Sequence, residues 1–301
     1  MKKIKAWLQA FRFRTLPLAF SCIFMGAFLA AANGFFSWPI LIWSLVTTLF
    51  LQVLSNLAND YGDATSGVDG VQRTGPKRTV SSGLISLSAM KRALIVFSLL
   101  SLFSGLWLIF LSFGDRWTEI IIFLILGLGA IVAAIKYTVG KKPYGYAGFG
   151  DLFVLIFFGL VGVGGSYYLY ANTLDSLVLL PALSCGLLAV GVLNVNNIRD
   201  IDSDQKAGKY SIPVRIGRPN AVLYHWFLLS MAVISSCVYV AIVNPRGFSF
   251  LFLLVLPMLY SNARAVKIMK TSQGLDPFLK QLALTTLIFV ILFGLGQVVF
   301  S

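Results

Sequence analysis

The sequence predicts an all-α membrane protein in which nine transmembrane helices form one bundle. Its mean hydropathy is +0.85, and 58% of its 301 residues are hydrophobic. Only 12% of the residues are charged, whereas a soluble domain carries about 25%. Apolar stretches of about 20 residues recur along the chain, and this is the length that a helix needs to span a bilayer. This composition does not fit a water-soluble fold.

Nine stretches meet that length, and residues 1–301 are therefore expected to form a single transmembrane domain. The stretches are residues 16–36, 39–59, 93–113, 118–136, 151–171, 176–197, 221–243, 247–262 and 277–300. The eighth is the shortest. Each stretch is expected to form one helix, and the pattern fixes the boundaries only to within a few residues.

The basic residues predict how the nine spans are oriented. In a nine-span topology, 22 of the 24 basic residues fall on one side of the membrane: Lys2, Lys3, Lys5, Arg12, Arg14, Arg73, Lys77, Arg78, Lys91, Arg92, Lys136, Lys141, Lys142, Arg199, Lys206, Lys209, Arg215, Arg218, Arg264, Lys267, Lys270 and Lys280. Only Arg116 and Arg246 fall on the other side. Because cytoplasmic loops are rich in Lys and Arg, this pattern predicts a multi-pass protein of the cell inner membrane with a cytoplasmic N-terminus. The net charge of +13 thus reflects topology, and we expect no nucleic-acid binding.

Cysteine and histidine give no sign of a metal site. Cys22, Cys185 and Cys237 all lie inside apolar stretches, without metal-ligand spacing or an obvious disulfide pattern. We expect them to be small packing residues. The single histidine, His225, is expected to have a structural role.

Six of the eleven acidic residues form two clusters, each at the predicted cytoplasmic end of a span. The first is Asn59-Asp60-Tyr61-Gly62-Asp63, which continues to Asp69. The second runs from Asn196 to Asp204 and contains three aspartates. Since the rest of the chain has few acids, two such clusters about 140 residues apart favour a shared function. The alternative is that they are solvated acids that end helices.

Helical spacing places the oxygen ligands of each cluster on one face, because residues three, four and seven apart are neighbours on a helix. The first face would carry Asn56, Asn59, Asp60 and Asp63. The second would carry Asn197, Asp200 and Asp204, with Asn196 four residues before Asp200. Asp202 should point away from this second face.

An oxygen-only ligand set of this kind predicts bound Mg²⁺. Carboxylates that lie close together repel one another, and a divalent cation removes that repulsion. Mg²⁺ prefers carboxylate oxygens and usually completes its shell with water and substrate phosphate. The candidate metal ligands are Asp60, Asp63, Asp69, Asn197, Asp200 and Asp204.

Basic residues near the clusters predict binding of a diphosphate, since fixed cations stabilise charge on a departing phosphate group. Arg73, Lys77 and Arg78 follow the first cluster, Lys141 and Lys142 follow the fourth span, and Arg199, Lys206 and Lys209 surround the second cluster. The alternative is that these residues only set topology or attract anionic lipid.

At these residues the sequence resembles the UbiA superfamily of intramembrane prenyltransferases. The family's two aspartate motifs match Asn59-Asp60-x-x-Asp63 and Asp200-x-x-x-Asp204, and its tyrosine followed by basic residues matches Tyr137, Lys141 and Lys142. Residues 56–63, 136–146 and 196–204 are most similar to the branch that acts on 1,4-dihydroxy-2-naphthoate, as is the early run Arg14-Thr-Leu-Pro17. Phe13 and Tyr210 depart from the pattern of that branch.

The resemblance implies a Mg²⁺-dependent transfer of a prenyl group from polyprenyl diphosphate to 1,4-dihydroxy-2-naphthoate, with loss of CO₂ and diphosphate and formation of demethylmenaquinone. The tail would lie in an apolar groove open to the lipid bilayer, and aromatic rings would stabilise an allylic cation. The implied catalytic residues are Asp60, Asp63, Asp200, Asp204 and Tyr137, and Tyr61 is a second candidate aromatic ring. The implied substrate-binding residues are Asn56, Asn59, Arg73, Lys77, Arg78, Lys141, Lys142, Asn197, Arg199 and Lys209.

Two alternatives remain open at this point. A prenyltransferase of the same superfamily could use 4-hydroxybenzoate or homogentisate as its acceptor. An ion-coupled transporter would also place acids in a membrane protein, although such sites usually lie near the bilayer midplane. The middles of these spans carry no charged residue, which disfavours a transporter. The pattern does not determine the length of the prenyl chain or the oligomeric state.

Overall fold

The computed structural model describes residues 2–66, 78–269 and 271–299, and every regular element within them is helical. Nine of its helical segments are long and apolar enough to cross a membrane, which confirms the predicted class and span number for the described residues. The helices are α1 (Lys2–Phe11), α2 (Leu16–Ala32), α3 (Trp38–Ser66), α4 (Leu87–Phe113), α5 (Trp117–Lys136), α6 (Gly150–Val154), α7 (Ser166–Ala171), α8 (Leu179–Arg199), α9 (Ile201–Lys206), α10 (Ile212–Val243), α11 (Leu256–Ile268) and α12 (Ser272–Val298).

Two spans contain non-α segments that their sequences explain. A π-helical stretch, Leu155–Gly165, joins α6 to α7 and carries four of the chain's glycines, so its wider backbone meets little steric hindrance. A 3₁₀ stretch, Gly247–Val255, precedes α11, and the eighth span is therefore longer than predicted.

The first turns of α10 also differ from the prediction. The helix begins at Ile212, nine residues before the predicted apolar stretch, with Pro213 in its first turn. Gly217 then interrupts the helical path with a φ of 76°, a value that glycine adopts without strain. Pro219 follows two residues later, where a missing N–H is tolerated because the helix starts again there.

The centre of the bundle is α8, which packs against α2, α10, α12 and the π-helical stretch. Small residues allow these helices to approach closely, as is usual inside membranes. A Cβ atom added to Gly159 would lie 2.8 Å from the carbonyl oxygen of Ala182 and 3.2 Å from the Cα of Gly186. Cys22 and Cys185 are buried in the same core as free thiols, which confirms the packing role expected for them.

An additional helix, α1, lies before the first span and was not predicted. Ala6 and Ala10 are buried on one face, and Trp7 packs beside them against α3 and α4. Ile4 and Leu8 are exposed on another face. This pattern is that of an amphipathic helix at a membrane surface.

The fold brings the two acid clusters to one end of the bundle. The helix α3 continues without interruption through Asp60 and Asp63 to Ser66. In contrast, α8 ends at Arg199, Asp200 has non-helical dihedral angles, and α9 begins at Ile201. The first cluster therefore lies on a rigid helix, and the second lies on a bend between two helices.

Candidate active site

Both acid clusters line a single cavity of about 980 Å³. Its polar end is formed by α3, by the bend between α8 and α9, and by residues just before α2 and after α5. Its apolar part extends between α2, α3, α4, α5 and the π-helical stretch. The expectation that the clusters come together is thus met by the structure.

Asp60 is buried, with 1% of its surface exposed, and is surrounded by donors. Its Oδ1 forms an ion pair with Arg12 and lies 3.2 Å from Nη1 of Arg78. Its Oδ2 accepts from the backbone N–H of Thr79 at 3.3 Å and from the Thr79 hydroxyl at 3.0 Å. These contacts compensate the buried charge of Asp60.

Asp63 lies one helical turn further along α3 and is also buried. Arg78 forms an ion pair with its Oδ2, and the Tyr146 hydroxyl donates to its Oδ1 at 2.5 Å. Burial and the neighbouring Asp63 carboxylate raise the pKa of Tyr146, so this phenol remains a donor at neutral pH. Tyr146 therefore helps to orient Asp63.

The second cluster is organised around the guanidinium group of Arg199. Its Nε lies 2.8 Å from Asp200 Oδ1, and its Nη2 lies 2.6 Å from Asp200 Oδ2. Nη1 donates to Asp276 at 2.6 Å, and Nη2 also donates to Asn196 at 2.9 Å. Every nitrogen of the group makes at least one hydrogen bond, so the carboxylates of Asp200 and Asp276 fix the orientation of Arg199.

Asp204 links the two clusters electrostatically. Burial raises the pKa of its carboxyl group, Lys209 lowers that pKa from 2.9 Å away, and the charges of Asp200 and Asp63 raise it again. Asp204 and Asp63 line the same cavity, so the carboxylates of the two clusters act on each other electrostatically. Asp202 is exposed and points elsewhere, as its spacing predicted.

Tyr137 lies beside this group, immediately after α5. Burial raises the pKa of its phenol, and the charges of Asp151, Asp204 and Asp63 raise it further, so the ring remains neutral. The ring meets Tyr144 edge-on at 5.4 Å between centroids, and Tyr144 stacks on Phe153 at 4.0 Å. These aromatic rings line the start of the apolar part of the cavity.

The apolar part is deep. Along α3 the lining runs from Asp60 back to Ser44, sixteen residues that correspond to about 24 Å of helix. On α5 it follows one face through Phe123, Gly127 and Ala130. Such a channel suits a long hydrocarbon chain whose polar head lies at the aspartates.

Nine of the predicted site residues line the cavity: Asn59, Asp60, Asp63, Arg78, Tyr137, Arg199, Asp200, Asp204 and Lys209. Three others, Asp69, Arg73 and Lys77, lie outside the described residues. The remaining four are Asn56, Asn197, Lys141 and Lys142, and none of them lines the cavity.

These four residues have other surroundings. Asn56 is buried and donates to the Phe11 carbonyl oxygen at 2.9 Å and to the Thr15 hydroxyl at 3.1 Å, so it fixes the start of the first span. Asn197 is buried and does not line the cavity, whereas Asn196, four residues before Asp200, does. Lys141 and Lys142 are exposed to solvent.

Residues that the sequence did not assign to the site contact its charged side chains: one pairs with Asp60, one donates to Asp63, and one pairs with Arg199. They are, in that order, Arg12, Tyr146 and Asp276. Arg12 had been assigned only to the predicted cytoplasmic side, and Asp276 directly precedes the ninth predicted stretch, so their location at span ends was the signal available for them. No local pattern pairs Tyr146 with Asp63, which lies 83 residues away.

The donor set fits Mg²⁺ bound together with phosphate. Four buried aspartates offer oxygen ligands around one cavity, with Asn59 and Asn196 nearby. Within the described residues no three acidic side chains form a complete metal site by themselves. Phosphate oxygens and water would therefore have to complete the shell, which is the way Mg²⁺ is usually held.

A family model and two curated relatives that match this chain all point to the same family. A model described as the UbiA prenyltransferase family matches residues 19–296. The 1,4-dihydroxy-2-naphthoate octaprenyltransferase of Haemophilus influenzae is 43% identical over 99% of this chain and 97% of its own length. The protein of the same name from Escherichia coli is 43% identical over 98% of this chain and 96% of its own length.

Solved structures share the fold at low sequence identity. A UbiA homologue from Aeropyrum pernix K1 has a TM-score of 0.62 at 18% identity, covering 94% of this chain and 97% of that chain. A UbiA homologue from Archaeoglobus fulgidus, bound to DMAPP and Mg²⁺, has a TM-score of 0.61 at 16% identity, covering 96% of this chain and 99% of that chain. Both are similar along nearly the whole chain.

Proposed function

The chain belongs to the UbiA prenyltransferase family, and we propose that it transfers a polyprenyl group from polyprenyl diphosphate to 1,4-dihydroxy-2-naphthoate. CO₂ and diphosphate leave, and the immediate product is the hydroquinone form of demethylmenaquinone, an intermediate of menaquinone synthesis. Residues 1–301 act as one transmembrane domain. The relatives from two bacteria that carry this activity in their names match almost the full length of the chain.

The observation that carries the proposal is the joint cavity of the two aspartate clusters and the deep apolar channel. A prenyl diphosphate requires a carboxylate-lined region that binds its diphosphate through Mg²⁺ and an apolar channel that holds its hydrocarbon tail. The mid-membrane part of the cavity is lined by uncharged residues, so it lacks the buried ion pathway expected of a transporter.

Mg²⁺ would be held by Asp60, Asp63, Asp200 and Asp204, and when bound it would neutralise the diphosphate and stabilise it as a leaving group. Arg12 and Arg78 contact the first pair of these aspartates and supply fixed positive charge at the same point. The allylic C–O bond breaks, and diphosphate leaves with the bonding electron pair.

The neutral ring of Tyr137 lies where the allylic cation forms and stabilises it by a cation–π interaction. The ring carbon of the naphthoate that carries the carboxylate then donates an electron pair to form the new C–C bond. As CO₂ leaves, the electron pair of its bond to carbon returns to the ring. The apolar walls of the cavity, including Phe153 and Phe157, exclude the water that would otherwise capture the cation.

A direct assay tests the reaction. Purified protein in lipid nanodiscs is given octaprenyl diphosphate, Mg²⁺ and 1,4-dihydroxy-2-naphthoate labelled in its carboxyl group. We expect labelled CO₂ and prenylated product in equal amounts, and loss of both after chelation of Mg²⁺. Product formation from 4-hydroxybenzoate or homogentisate in place of the naphthoate would contradict the proposed acceptor.

We further propose that the cavity opens toward the cytoplasm of a cell inner membrane, as the charge pattern suggests. Single cysteines introduced at Lys91 and Asp115, which are exposed at opposite ends of α4, test this orientation in intact cells. A membrane-impermeant thiol reagent is expected to label Asp115→Cys and to spare Lys91→Cys until the cells are opened. The native chain, with its cysteines inside the bundle, is the background control, and the reverse labelling would refute the orientation.

A further inference from the structure

Six basic side chains line the cavity in the described part of the chain, and two of them lack a partner. The six are Arg12, Arg14, Arg78, Arg199, Lys209 and Lys280. Four of them form ion pairs with the aspartates of the two clusters. Within the described residues, the side chains of Arg14 and Lys280 form neither a hydrogen bond nor an ion pair with other protein groups.

These two cations lie on neighbouring elements of the cavity wall. Arg14 is the middle residue of the single 3₁₀ turn Phe13–Thr15, which packs against α12. Lys280 lies on the face of α12 that also lines the cavity with Asp276 and Ala283. Since Asp276 contacts Arg199, this wall adjoins the second acid cluster.

The turn that carries Arg14 is held in place by hydrogen bonds on both sides. The Thr15 hydroxyl accepts from Gln52 at 3.1 Å and from Asn56 at 3.1 Å, and it donates to the Arg12 carbonyl oxygen at 3.0 Å. Arg14 therefore extends from a backbone that is ordered before any ligand binds, which lowers the entropy lost on binding.

Arg14 and Lys280 are exposed at the cavity wall, and two neighbouring cations without a protein partner there offer a site for an anion that enters from water. The diphosphate is already provided for by the aspartates and their counter-ions at the other wall. The second reactant of the proposed reaction is also an anion, because 1,4-dihydroxy-2-naphthoate carries a carboxylate. Arginine can bind a carboxylate through two parallel hydrogen bonds, and a lysine beside it adds a third donor.

We infer that Arg14 and Lys280 bind the carboxylate of the aromatic acceptor, an assignment that rests on the proposed function. Phe13 from the 3₁₀ turn, Leu18 from α2 and Ala283 from α12 provide apolar surface on the cavity wall for a bicyclic ring. The site places the acceptor next to the aspartate clusters, so its ring can reach the carbon from which diphosphate departs.

The inference is tested with two inhibitors that differ only in charge, 1-hydroxy-2-naphthoate and 1-hydroxy-2-naphthamide. Inhibition constants are measured against 1,4-dihydroxy-2-naphthoate for the native chain, Arg14→Gln and Lys280→Gln. We expect each substitution to weaken binding of the carboxylate about tenfold, as loss of a charged hydrogen bond does, and to leave binding of the amide unchanged. The KM for octaprenyl diphosphate should change less than about twofold, because neither substitution removes a contact to that substrate.

The matched control is Lys267→Gln, which removes an exposed lysine at the end of α11 that does not line the cavity. This variant should keep the native preference for the carboxylate. An unchanged preference in Arg14→Gln and Lys280→Gln, or an equal loss for both inhibitors, would overturn the assignment. If the native chain does not convert 1,4-dihydroxy-2-naphthoate at all, the proposed function fails and this inference fails with it.

A change of lipid composition tests whether Arg14 and Lys280 bind the acceptor or an anionic lipid headgroup. The same measurements are made in nanodiscs of phosphatidylcholine alone and in nanodiscs that also contain phosphatidylglycerol. Binding of the acceptor predicts the same loss of carboxylate preference in both. A loss that occurs only with the anionic lipid would mean that Arg14 and Lys280 contact lipid headgroups, and the assignment would be wrong.

Discussion

Asp63→Asn and Asp204→Asn are each expected to lower kcat for prenyl transfer at least about 100-fold, the loss typical when one preorganised charge is removed from a transition state. The amide keeps the size of the carboxylate and removes its charge. Both aspartates are buried and line the polar end of the same cavity. Each is therefore expected to be needed for Mg²⁺, whereas the apolar channel for the tail is unchanged.

Asp202→Asn provides a matched control, because Asp202 belongs to the same short helix as Asp204 but is exposed. It should retain native kcat and the native requirement for Mg²⁺. Initial rates at several Mg²⁺ concentrations, with size-exclusion profiles to verify folding, distinguish the variants. Native turnover by Asp63→Asn or Asp204→Asn would show that the clusters do not bind the metal, and equal losses in all three variants would point to a general structural effect.

The sequence predicted the parts of the site that depend on local spacing along one continuous helix. The first cluster is such a case, since α3 runs unbroken through Asn59, Asp60 and Asp63, and all three line the cavity. Hydropathy likewise predicted all nine spans in the described residues, because the length of a span is set by the thickness of the bilayer.

Spacing was less informative at the second cluster because the helix does not continue through it. Asp200 has a φ of −100° and a ψ of 8°, so the face predicted for a straight helix is lost at that residue. Asn197, which a straight helix would place on one face with Asp200 and Asp204, is buried away from the cavity, and Asn196 lines the cavity instead. No residue type in this run, such as proline or glycine, marks the bend in advance.

Contacts between distant segments could not be derived from the pattern. Arg12 reaches Asp60 across 48 residues, and Arg199 reaches Asp276 across 77 residues. Basic residues at span ends obey the same topology rule whether they face lipid, solvent or a cavity. Their role becomes visible only when the packing of α3, α8 and α12 places them beside a carboxylate.

We expect the second large loss of activity from Gly62→Ala, because α3 approaches the turn after α5 closely at this residue. A Cβ at Gly62 would lie 2.6 Å from the carbonyl oxygen of Thr138 and 2.7 Å from its carbonyl carbon. These are backbone atoms of a turn that is itself fixed, since the Thr138 hydroxyl donates to the Ala58 carbonyl oxygen at 3.0 Å. The new methyl group cannot be accommodated by rotation of a side chain, so α3 and the turn must separate.

That separation would move Asp63 relative to Tyr137, which directly precedes Thr138, and misalignment of about 1 Å is enough to reduce catalysis about 100-fold. We therefore expect Gly62→Ala to lower kcat by about 10- to 100-fold. We also expect overpacking to destabilise the protein by about 1–3 kcal/mol. Steady-state rates and thermal unfolding of the purified protein measure both effects.

Gly129→Ala is the matched control, because a Cβ at that helical glycine meets no atom within 4 Å. It should keep native kcat, and a Gly62→Ala variant that did the same would show that the catalytic geometry does not depend on this contact.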